Sequence, residues 1–263
     1  MHIALFVCLC LGMADCAFAA ATEAGVVVNM EGTLAAKGVD GTLRALANFE
    51  KVLAGDTLFT GKDSYARIKF ADGGVISLQP GAQFKIENYN YDEKQPDKDK
   101  AGFNLIKGGL RAISGLIGKR GDPDSYGVKT RVATVGIRGT KYGMQFCQRD
   151  CASIPTPDGN PPENGLHLDV EEGAVVVRNA AGTQLLNAGQ FGFVRDSGVA
   201  PIIISPERGI RVEIPARMGV DKVRGGSDGE NACPDDASQT APQNPDDASQ
   251  TAPPNPDDAP VSK

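Results

Sequence analysis

The sequence is poor in several residues that build catalytic and metal sites. Among its 263 residues tryptophan is absent, and histidine occurs at His2 and His167. A zinc site needs about four ligands, and a Ser-His-acid triad would have to use His167 without a G-x-S-x-G motif. The absence of tryptophan also weakens a sugar-cleaving interpretation, although two carboxylates far apart in sequence would leave no local motif. The composition predicts no enzyme, no catalytic residue, no cofactor and no metal site.

Apolar runs long enough to cross a membrane are also missing. The run Ile3–Met13 is shorter than the ~20 residues that a membrane helix needs. It is followed by Ala17-Phe18-Ala19, the small-x-small pattern of a signal peptidase site. We predict a signal peptide over residues 1–20, cleaved near Ala19 to Ala21, and a periplasmic or secreted mature chain without a transmembrane segment. Its n-region lacks Lys and Arg, and lipidation at Cys16 is a minor alternative because an acidic residue precedes it.

Few cysteines remain beyond the predicted signal peptide, namely Cys147, Cys151 and Cys233. In an exported chain the close spacing of Cys147 and Cys151 favours a local disulfide. Two unpaired thiols are the alternative. Cys233 is either free or paired between molecules.

The negative charge is concentrated at the C-terminus. The formal net charge is -6, and residues 234–263 carry six Asp and one Lys. The sequence there is repetitive, with PDDASQTAPQN followed by PDDASQTAPPN and PDDAP. Such a segment cannot bury enough apolar surface to offset its ordering entropy, so we predict a disordered, acidic, Pro-rich repeat tail over 224–263. It is either a solubilising linker or an internal competitor for a basic surface of the same chain.

The rest of the chain is nearly neutral, which gives no argument for a nucleic-acid partner. Within it, residues 107–141 are locally basic. Two interpretations stay open: a solvated strand face, or a surface that binds an anionic partner such as a glycan, a wall polymer or an acidic protein segment. The predicted partner-binding basic surface consists of Arg111, Lys119, Arg120, Lys129, Arg131, Arg138 and Lys141.

Three consecutive units of eight residues, YARIKFAD, GGVISLQP and GAQFKIEN, span residues 65–88. Within each unit the apolar and small residues stand two positions apart, and the same positions recur in the next unit. Turn-forming residues lie between the units. Residues two apart share one face of a strand. We therefore predict short strands that bury one face and expose Arg67, Lys69, Ser77 and Lys85 on the other. The buried set is Ala66, Ile68, Phe70, Gly74, Ile76, Leu78, Ala82, Phe84 and Ile86.

A second block of short strands is predicted over residues 166–194. Leu166, Leu168 and Val170 alternate as a buried set, which predicts a surface position for His167 between them. Residues 91–100 are densely charged without an apolar anchor, and residues 153–164 are rich in proline. Both segments are predicted to be loops.

These patterns predict an all-β protein. A β domain over residues 24–223, with its core at 52–194, would follow the signal peptide and precede the tail. Period-two burial alone leaves two architectures open, a short-stranded β-solenoid-like fold and a meander or sandwich.

Several blocks occur in the order that is found in the FecR domain. GDTLFTGKDSYARIKFADGGVISLQPGAQFKI over 55–86 resembles the first block of that domain, and residues 105–120 and 129–143 resemble later blocks. VEEGAVVVRN and LLNAGQFGFV resemble its closing strands. The resemblance covers about 52–194 and implies a β-rich, solenoid-like periplasmic domain without catalytic residues.

The founding member of that family is a single-pass regulator that relays an iron-siderophore signal from an outer-membrane receptor to a sigma factor. This chain departs from that organisation, because a cleavable signal stands in place of a cytoplasmic anti-sigma segment and an internal membrane helix. The resemblance therefore implies a stand-alone binding or sensing module that contacts an envelope protein in signalling. The alternative is a structural cell-envelope protein that binds peptidoglycan or surface glycan.

Overall fold

The computed structural model describes residues 22–120 and 122–219. The predicted signal peptide, the predicted tail and Cys233 lie outside these residues. Within the described part, fifteen strands form one branched sheet, which confirms the all-β prediction. Short 3-10 turns occur at Pro96–Lys98, Pro123–Ser125, Pro206–Arg208 and Ala216–Met218.

The strands vary in length from three to fifteen residues. In chain order they are β1 (Glu23–Glu31), β2 (Leu34–Lys37), β3 (Leu43–Leu46), β4 (Lys51–Leu53), β5 (Thr57–Thr60), β6 (Tyr65–Phe70), β7 (Val75–Leu78), β8 (Gln83–Asn90), β9 (Lys100–Ile113), β10 (Tyr126–Lys129), β11 (Thr134–Cys147), β12 (Gly165–Asn179), β13 (Gly182–Asn187), β14 (Phe191–Val194) and β15 (Ile202–Ile204).

Three long strands, β9, β11 and β12, divide the sheet into two layers, because each pairs with different neighbours along its two halves. The first layer runs β3-β2-β5-β8-β9-β10-β11-β12-β13. The second runs β4-β1-β6-β7-β9-β11-β12-β14-β15. All pairs are antiparallel except β9 with β10. The sequence predicted only short strands. It did not predict these three long strands, which both layers share.

Glycines permit the bend where β11 and β12 pass from one layer to the other. Gly139 and Gly173 have φ values of +60° and +76°, in the left-handed region that side chains other than hydrogen disfavour. A Cβ atom on Gly173 would lie 2.4 Å from the carbonyl oxygen of Gly139. The β11–β12 register shifts at this point. The two strands therefore bend together and carry their pairing into the second layer.

The two layers pack against each other through one apolar core. The ring of Phe103 on β9 lies 5.1 Å from that of Phe70 and 5.6 Å from that of Tyr126, measured between centroids. Tyr126 on β10 belongs to the first layer and Phe70 on β6 to the second. Of the two architectures left open by the sequence, the described residues form the sandwich.

The residues predicted to be buried in the three units of eight all face this core. Ile68 and Ile76 are opposite each other in the β6–β7 hairpin, whereas Phe84 lies on β8 in the other layer. Every position of the predicted buried set is buried. Among the residues predicted to be exposed, Ser77 is only 4% exposed, because a later part of the chain covers it.

That covering part is residues 209–219, here called the C-terminal strap. It crosses the outer face of the second layer without forming a strand. Ile210, Val212 and Met218 within it are buried. The loop between β11 and β12, which contains the predicted Pro-rich segment 153–164, also packs on this face at Ile154.

Candidate functional site

The outer face of the second layer presents side chains in register across its strands. One row, from β6 to β15, consists of Arg67, Ser77, Arg111, Gly143, Asp169, Phe191 and Ile204. These residues are one position away from core residues such as Ile68 and Leu168, so alternation turns them outward. Polar groups thus occupy the middle of a face that the C-terminal strap partly covers.

Arg111 and Asp169 hold the strap at the centre of this row. Arg111 Nη1 lies 2.9 Å from Asp169 Oδ2 and donates to the carbonyl oxygen of Val212 at 3.0 Å. The Val212 N–H donates to Asp169 Oδ1 at 3.0 Å. Arg111 Nη2 and Lys141 Nζ both pair with Glu171. Gly143 leaves room for these contacts, because a Cβ there would lie 2.1 Å from Asp169 Oδ1.

Further side chains of the sheet bind the backbone of the strap. Gln79 Nε2 donates to the carbonyl oxygen of Glu213 at 2.8 Å. Asn29 Nδ2 donates to that of Arg217 at 2.9 Å. This face therefore holds the strap through side-chain contacts to its backbone N–H and carbonyl groups, not through strand pairing.

A cavity of about 440 Å³ lies between the strap and the outer face. Its lining contains four cationic side chains and two carboxylates, which are Arg67, Arg111, Lys141, Arg211, Glu171 and Glu213. Gly219, the last described residue, also lines it. The guanidinium of Arg211 lies 5.5 Å from the ring centre of Phe191. Charged side chains of both the sheet and the strap therefore line this cavity.

A larger cavity of about 680 Å³ adjoins the first through Arg211, Val212 and Glu213. Its other walls come from the Pro-rich loop and from the outward side chains of Gln79 and Gln145. It is open and mixed in polarity, which fits an extended peptide better than a small enclosed ligand.

The Cys147–Cys151 disulfide is formed in the structure, with 5.4 Å between the Cα atoms. Both cysteines are buried against Ile210 and Val212. The disulfide therefore ties the end of β11 to the loop that follows it and supports the first part of the strap.

His167 is buried and not on the surface, so its predicted position is wrong. It does face away from the core, but the Pro-rich loop and Phe193 cover it; the two ring centres are 4.8 Å apart. Nε2 lies 2.8 Å from the carbonyl oxygen of Glu163, and Nδ1 has no hydrogen-bond partner among the described residues. Burial lowers the pKa of His167 below its usual value, while the Glu163 carbonyl opposes that shift.

The structure separates the residues of the predicted basic surface into different settings. Arg111 and Lys141 line the 440 Å³ cavity, whereas Lys119, Arg120 and Arg138 line another of about 120 Å³. Lys129 and Arg131 line neither of these two cavities. Binding by this set of residues stays a prediction.

Several of these cations already have partners. Arg120 Nε donates to the fully buried Asp99 at 3.1 Å, and Lys129 Nζ lies 3.1 Å from Glu87. Arg131 lies over the ring of Phe146. The contact of Asp99 also anchors the charged loop at 91–100, for which the sequence offered no apolar anchor.

Buried tyrosines and Asp72 form the polar contacts between the layers. The hydroxyl groups of Tyr126 and Tyr142 are 2.9 Å apart, and Tyr89 donates to Asp72 Oδ1 at 3.0 Å. Burial raises the pKa of all three tyrosines. They stay protonated at neutral pH and serve as hydrogen-bonding groups of the core.

The described residues contain no group of three His, Cys, Asp or Glu side chains that is arranged to hold a metal ion. None of their helices has the length and apolar character needed to span a membrane.

Comparison with known families identifies the class of this β-sandwich. The FecR protein family matches residues 56–176, from β5 into β12 and inside the range of the sequence resemblance. Residues 56–176 therefore form a FecR domain. The strands β13 to β15 and the C-terminal strap follow the matched region.

Among solved structures, a proposed anti-sigma factor from Parabacteroides distasonis, determined at 1.65 and 2.50 Å resolution, is 15% identical with a TM-score of 0.41. The match covers 56% of this chain and 58% of that protein, so this chain spans little more than half of it. A cell surface anchoring domain is 21% identical over 24% of this chain and 82% of that domain, with a TM-score of 0.23. Among curated proteins none matches this chain.

Sequence reasoning missed the acidic partners of the basic residues and the strap itself. The alternation on β12 carried a signal for Asp169 and Glu171, which lie on the phase opposite Leu168 and Val170. The strap shows no comparable pattern, since it is held by single side-chain contacts from several distant strands.

Proposed function

We propose that this chain is a non-enzymatic periplasmic or secreted binding and sensing module that contacts an envelope protein in signalling. The FecR domain at 56–176 carries this proposal, because the family match supports a regulatory or signalling role. The predicted signal peptide supports the compartment. No part of the proposal requires a cofactor or a nucleic acid.

We assign the protein contact to β15, at the end of the second layer. This strand pairs with β14 on one side, and no other strand pairs with it among the described residues. Ile202 and Ile203 are 48% and 45% exposed. An edge strand with exposed apolar side chains is suited to adding a strand from a partner.

The test is photo-cross-linking of the full chain in its native cell envelope. A photoreactive residue at position 203 is expected to capture an outer-membrane receptor or an inner-membrane regulator. The same probe at Val39, which is also exposed, serves as the control. Capture of wall fragments alone, or equal capture from both positions, would contradict the assignment.

Exposed cations favour a second candidate, a structural envelope protein that binds an anionic wall polymer or glycan. Lys119, Arg131 and Arg138 are exposed, and no carboxylate lies within ion-pair distance of them in the described part of the chain. Retention on purified peptidoglycan that disappears when these three residues are changed to Glu would support this role. Unchanged retention would exclude this surface.

A further inference from the structure

The C-terminal strap is a peptide bound to the outer face of the second layer. It follows the FecR domain in sequence and crosses that face without forming a strand. Ile210, Val212 and Met218 are buried, whereas Arg211 and Glu213 are exposed. The face therefore holds the strap at a few points and leaves the rest of it open to solvent.

Val212 is bound at both of its main-chain polar groups. Arg111 Nη1 donates to its carbonyl oxygen at 3.0 Å, and its N–H donates to Asp169 Oδ1 at 3.0 Å. In an antiparallel sheet a residue exchanges the same two hydrogen bonds with the opposite strand. The Arg111–Asp169 ion pair thus replaces a strand partner with two side chains. Every residue except proline presents the main-chain groups that this pair binds.

The charges around this point are paired within the sheet. Arg111 pairs with Asp169 and Glu171, and Lys141 also pairs with Glu171. A peptide group has no net charge, but it offers a donor and an acceptor. An uncharged main chain therefore suits the Arg111–Asp169 pair better than an isolated ion does.

The face has room for side chains other than those of the strap. At Gly143 a Cβ would lie 2.7 Å from Val212 Cβ, so the missing side chain lets a peptide lie directly on the sheet. Residues 211–213 border both the cavity of about 440 Å³ and that of about 680 Å³. Ligand pockets typically have volumes of about 300–1,000 Å³. A peptide with larger side chains than the strap can therefore be accommodated.

The covalent link gives the strap an advantage over any external peptide. Tethering to the same chain corresponds to an effective concentration in the millimolar range. An external peptide binds only the fraction of molecules in which the strap has left, and its apparent affinity falls by that fraction. Weakening the strap should therefore strengthen binding of an external peptide.

We propose that the outer face of the second layer is a recognition site for an extended peptide of a partner protein, and that the strap is a resident occupant which this peptide displaces. The partner segment presents a free main chain to Arg111 and Asp169 and places aliphatic side chains where Ile210 and Val212 now lie. This inference does not depend on the partner contact assigned to β15.

The probe is a fluorescent peptide with the sequence of residues 207–219, ERGIRVEIPARMG. Its binding to the chain from residue 22 to 263 is measured by fluorescence anisotropy. In the variant Val212→Pro the strap loses the N–H that donates to Asp169, while the probe keeps its valine. We expect this variant to bind the probe about tenfold or more tightly than the wild-type chain does, because a hydrogen bond to a charged group no longer holds the competing strap.

Release of the strap is measured separately by limited proteolysis. Trypsin cleavage after Arg208 or Arg217, identified by mass spectrometry, should be several-fold faster in the Val212→Pro variant, because local opening exposes the backbone.

Two modified probes test main-chain recognition without altering the protein. A probe N-methylated at Val212 lacks the N–H for Asp169 and should bind about tenfold or more weakly. The matched control is N-methylated at Arg211, whose N–H makes no hydrogen bond within the described part of the chain, and should bind as the unmodified probe does.

A second pair of variants alters the site itself. Arg111→Gln, added to Val212→Pro, should weaken the probe about tenfold, since the donor to the Val212 carbonyl is lost. Arg131→Gln in the same background is the control, because this residue lies over Phe146 and lines neither cavity beside the strap.

Four results would overturn the proposal. Unchanged trypsin cleavage in Val212→Pro would show that this contact does not hold the strap. Faster cleavage without tighter probe binding would show that the vacated face takes no external peptide. Equal binding of the two methylated probes would exclude main-chain recognition at Val212. Dimers of the wild-type chain that the probe dissociates would give the site to the strap of a second copy.

Discussion

Arg111 and Asp169 join three parts of the chain that are far apart in sequence. Arg111 Nη1 lies 2.9 Å from Asp169 Oδ2 and 3.0 Å from the carbonyl oxygen of Val212, and Asp169 Oδ1 accepts the Val212 N–H. The two side chains are 12% and 3% exposed. One ion pair therefore fixes β9, β12 and the strap to one another.

Asp169→Asn is expected to lower the free energy of unfolding by about 2–3 kcal/mol, because a buried arginine loses its partner while Glu171 still compensates in part. Urea denaturation measures the loss. Glu87→Gln, which removes the partner of the exposed Lys129, is the control, with an expected change below about 1 kcal/mol. Equal losses for the two variants would contradict a central role for Asp169.

Tyr126 and Tyr142 give a test of the contact between layers. Removing one hydroxyl, as in Tyr142→Phe, leaves the other buried without its partner and is expected to cost about 1–3 kcal/mol. The double variant Tyr126→Phe/Tyr142→Phe should recover much of this loss, because no polar group is left unsatisfied. Additive losses in the double-mutant cycle would show that the 2.9 Å contact is not formed.

Gly173→Ala tests the bend of the long strands. Alanine would meet the carbonyl of Gly139 at 2.4 Å in addition to adopting a φ of +76°. Gly189→Ala is the matched control, since φ is +83° there and nothing lies within 4 Å of the added Cβ. Unfolding experiments should show a loss of about 1–2 kcal/mol for Gly189→Ala and a further 1–3 kcal/mol or so for Gly173→Ala. Similar losses would argue against the close approach of the strands.

Removal of the disulfide should loosen the strap. Changing both Cys147 and Cys151 to Ser is expected to lower stability by about 2 kcal/mol, the entropy of a five-residue loop. Hydrogen exchange at Ile210 and Val212 should rise at the same time, because these residues pack on the disulfide. Cys233→Ser is the control. Equal hydrogen exchange at Ile210 and Val212 in the two variants would show that the disulfide does not support the strap.

His167 predicts a dependence of stability on pH. Burial lowers its pKa in the folded protein, so the unfolded chain binds the proton more readily. The stabilising contribution is complete above the unfolded pKa of about 6.5 and is lost as the pH falls from there towards the lowered folded value. His167→Gln should remove this part of the loss, which begins as the pH falls through about 6.5. Parallel stability curves for the two proteins would show that His167 does not titrate in this way.

The sequence predicted the strand faces well. Ile68, Ile76 and Phe84 all point into the core, because a two-residue period relates neighbouring side chains wherever the strand is placed. It did not predict that Phe84 lies in the other layer, since the chain leaves the β6–β7 hairpin before β8 and pairs with β5 and β9.

The candidate site was predicted only in part. Basic residues were identified, but their environment was not: Arg111 faces Asp169, which follows it by 58 residues, and Arg120 faces Asp99. Which charges become neighbours depends on strand pairing across the whole domain, and a local sum of charge does not contain that information.

Local periodicity by itself determined the all-β class, the phase of the buried residues and the resemblance to the FecR domain, because these properties depend on residues close in sequence. Tertiary structure decided the division into two layers, the burial of His167 and the cavity beside the strap. These depend on glycine bends and on cover from residues 153–164 and 209–219. A face that alternation turns outward is exposed only if no later segment packs on it, and here the fold brings two such segments over it.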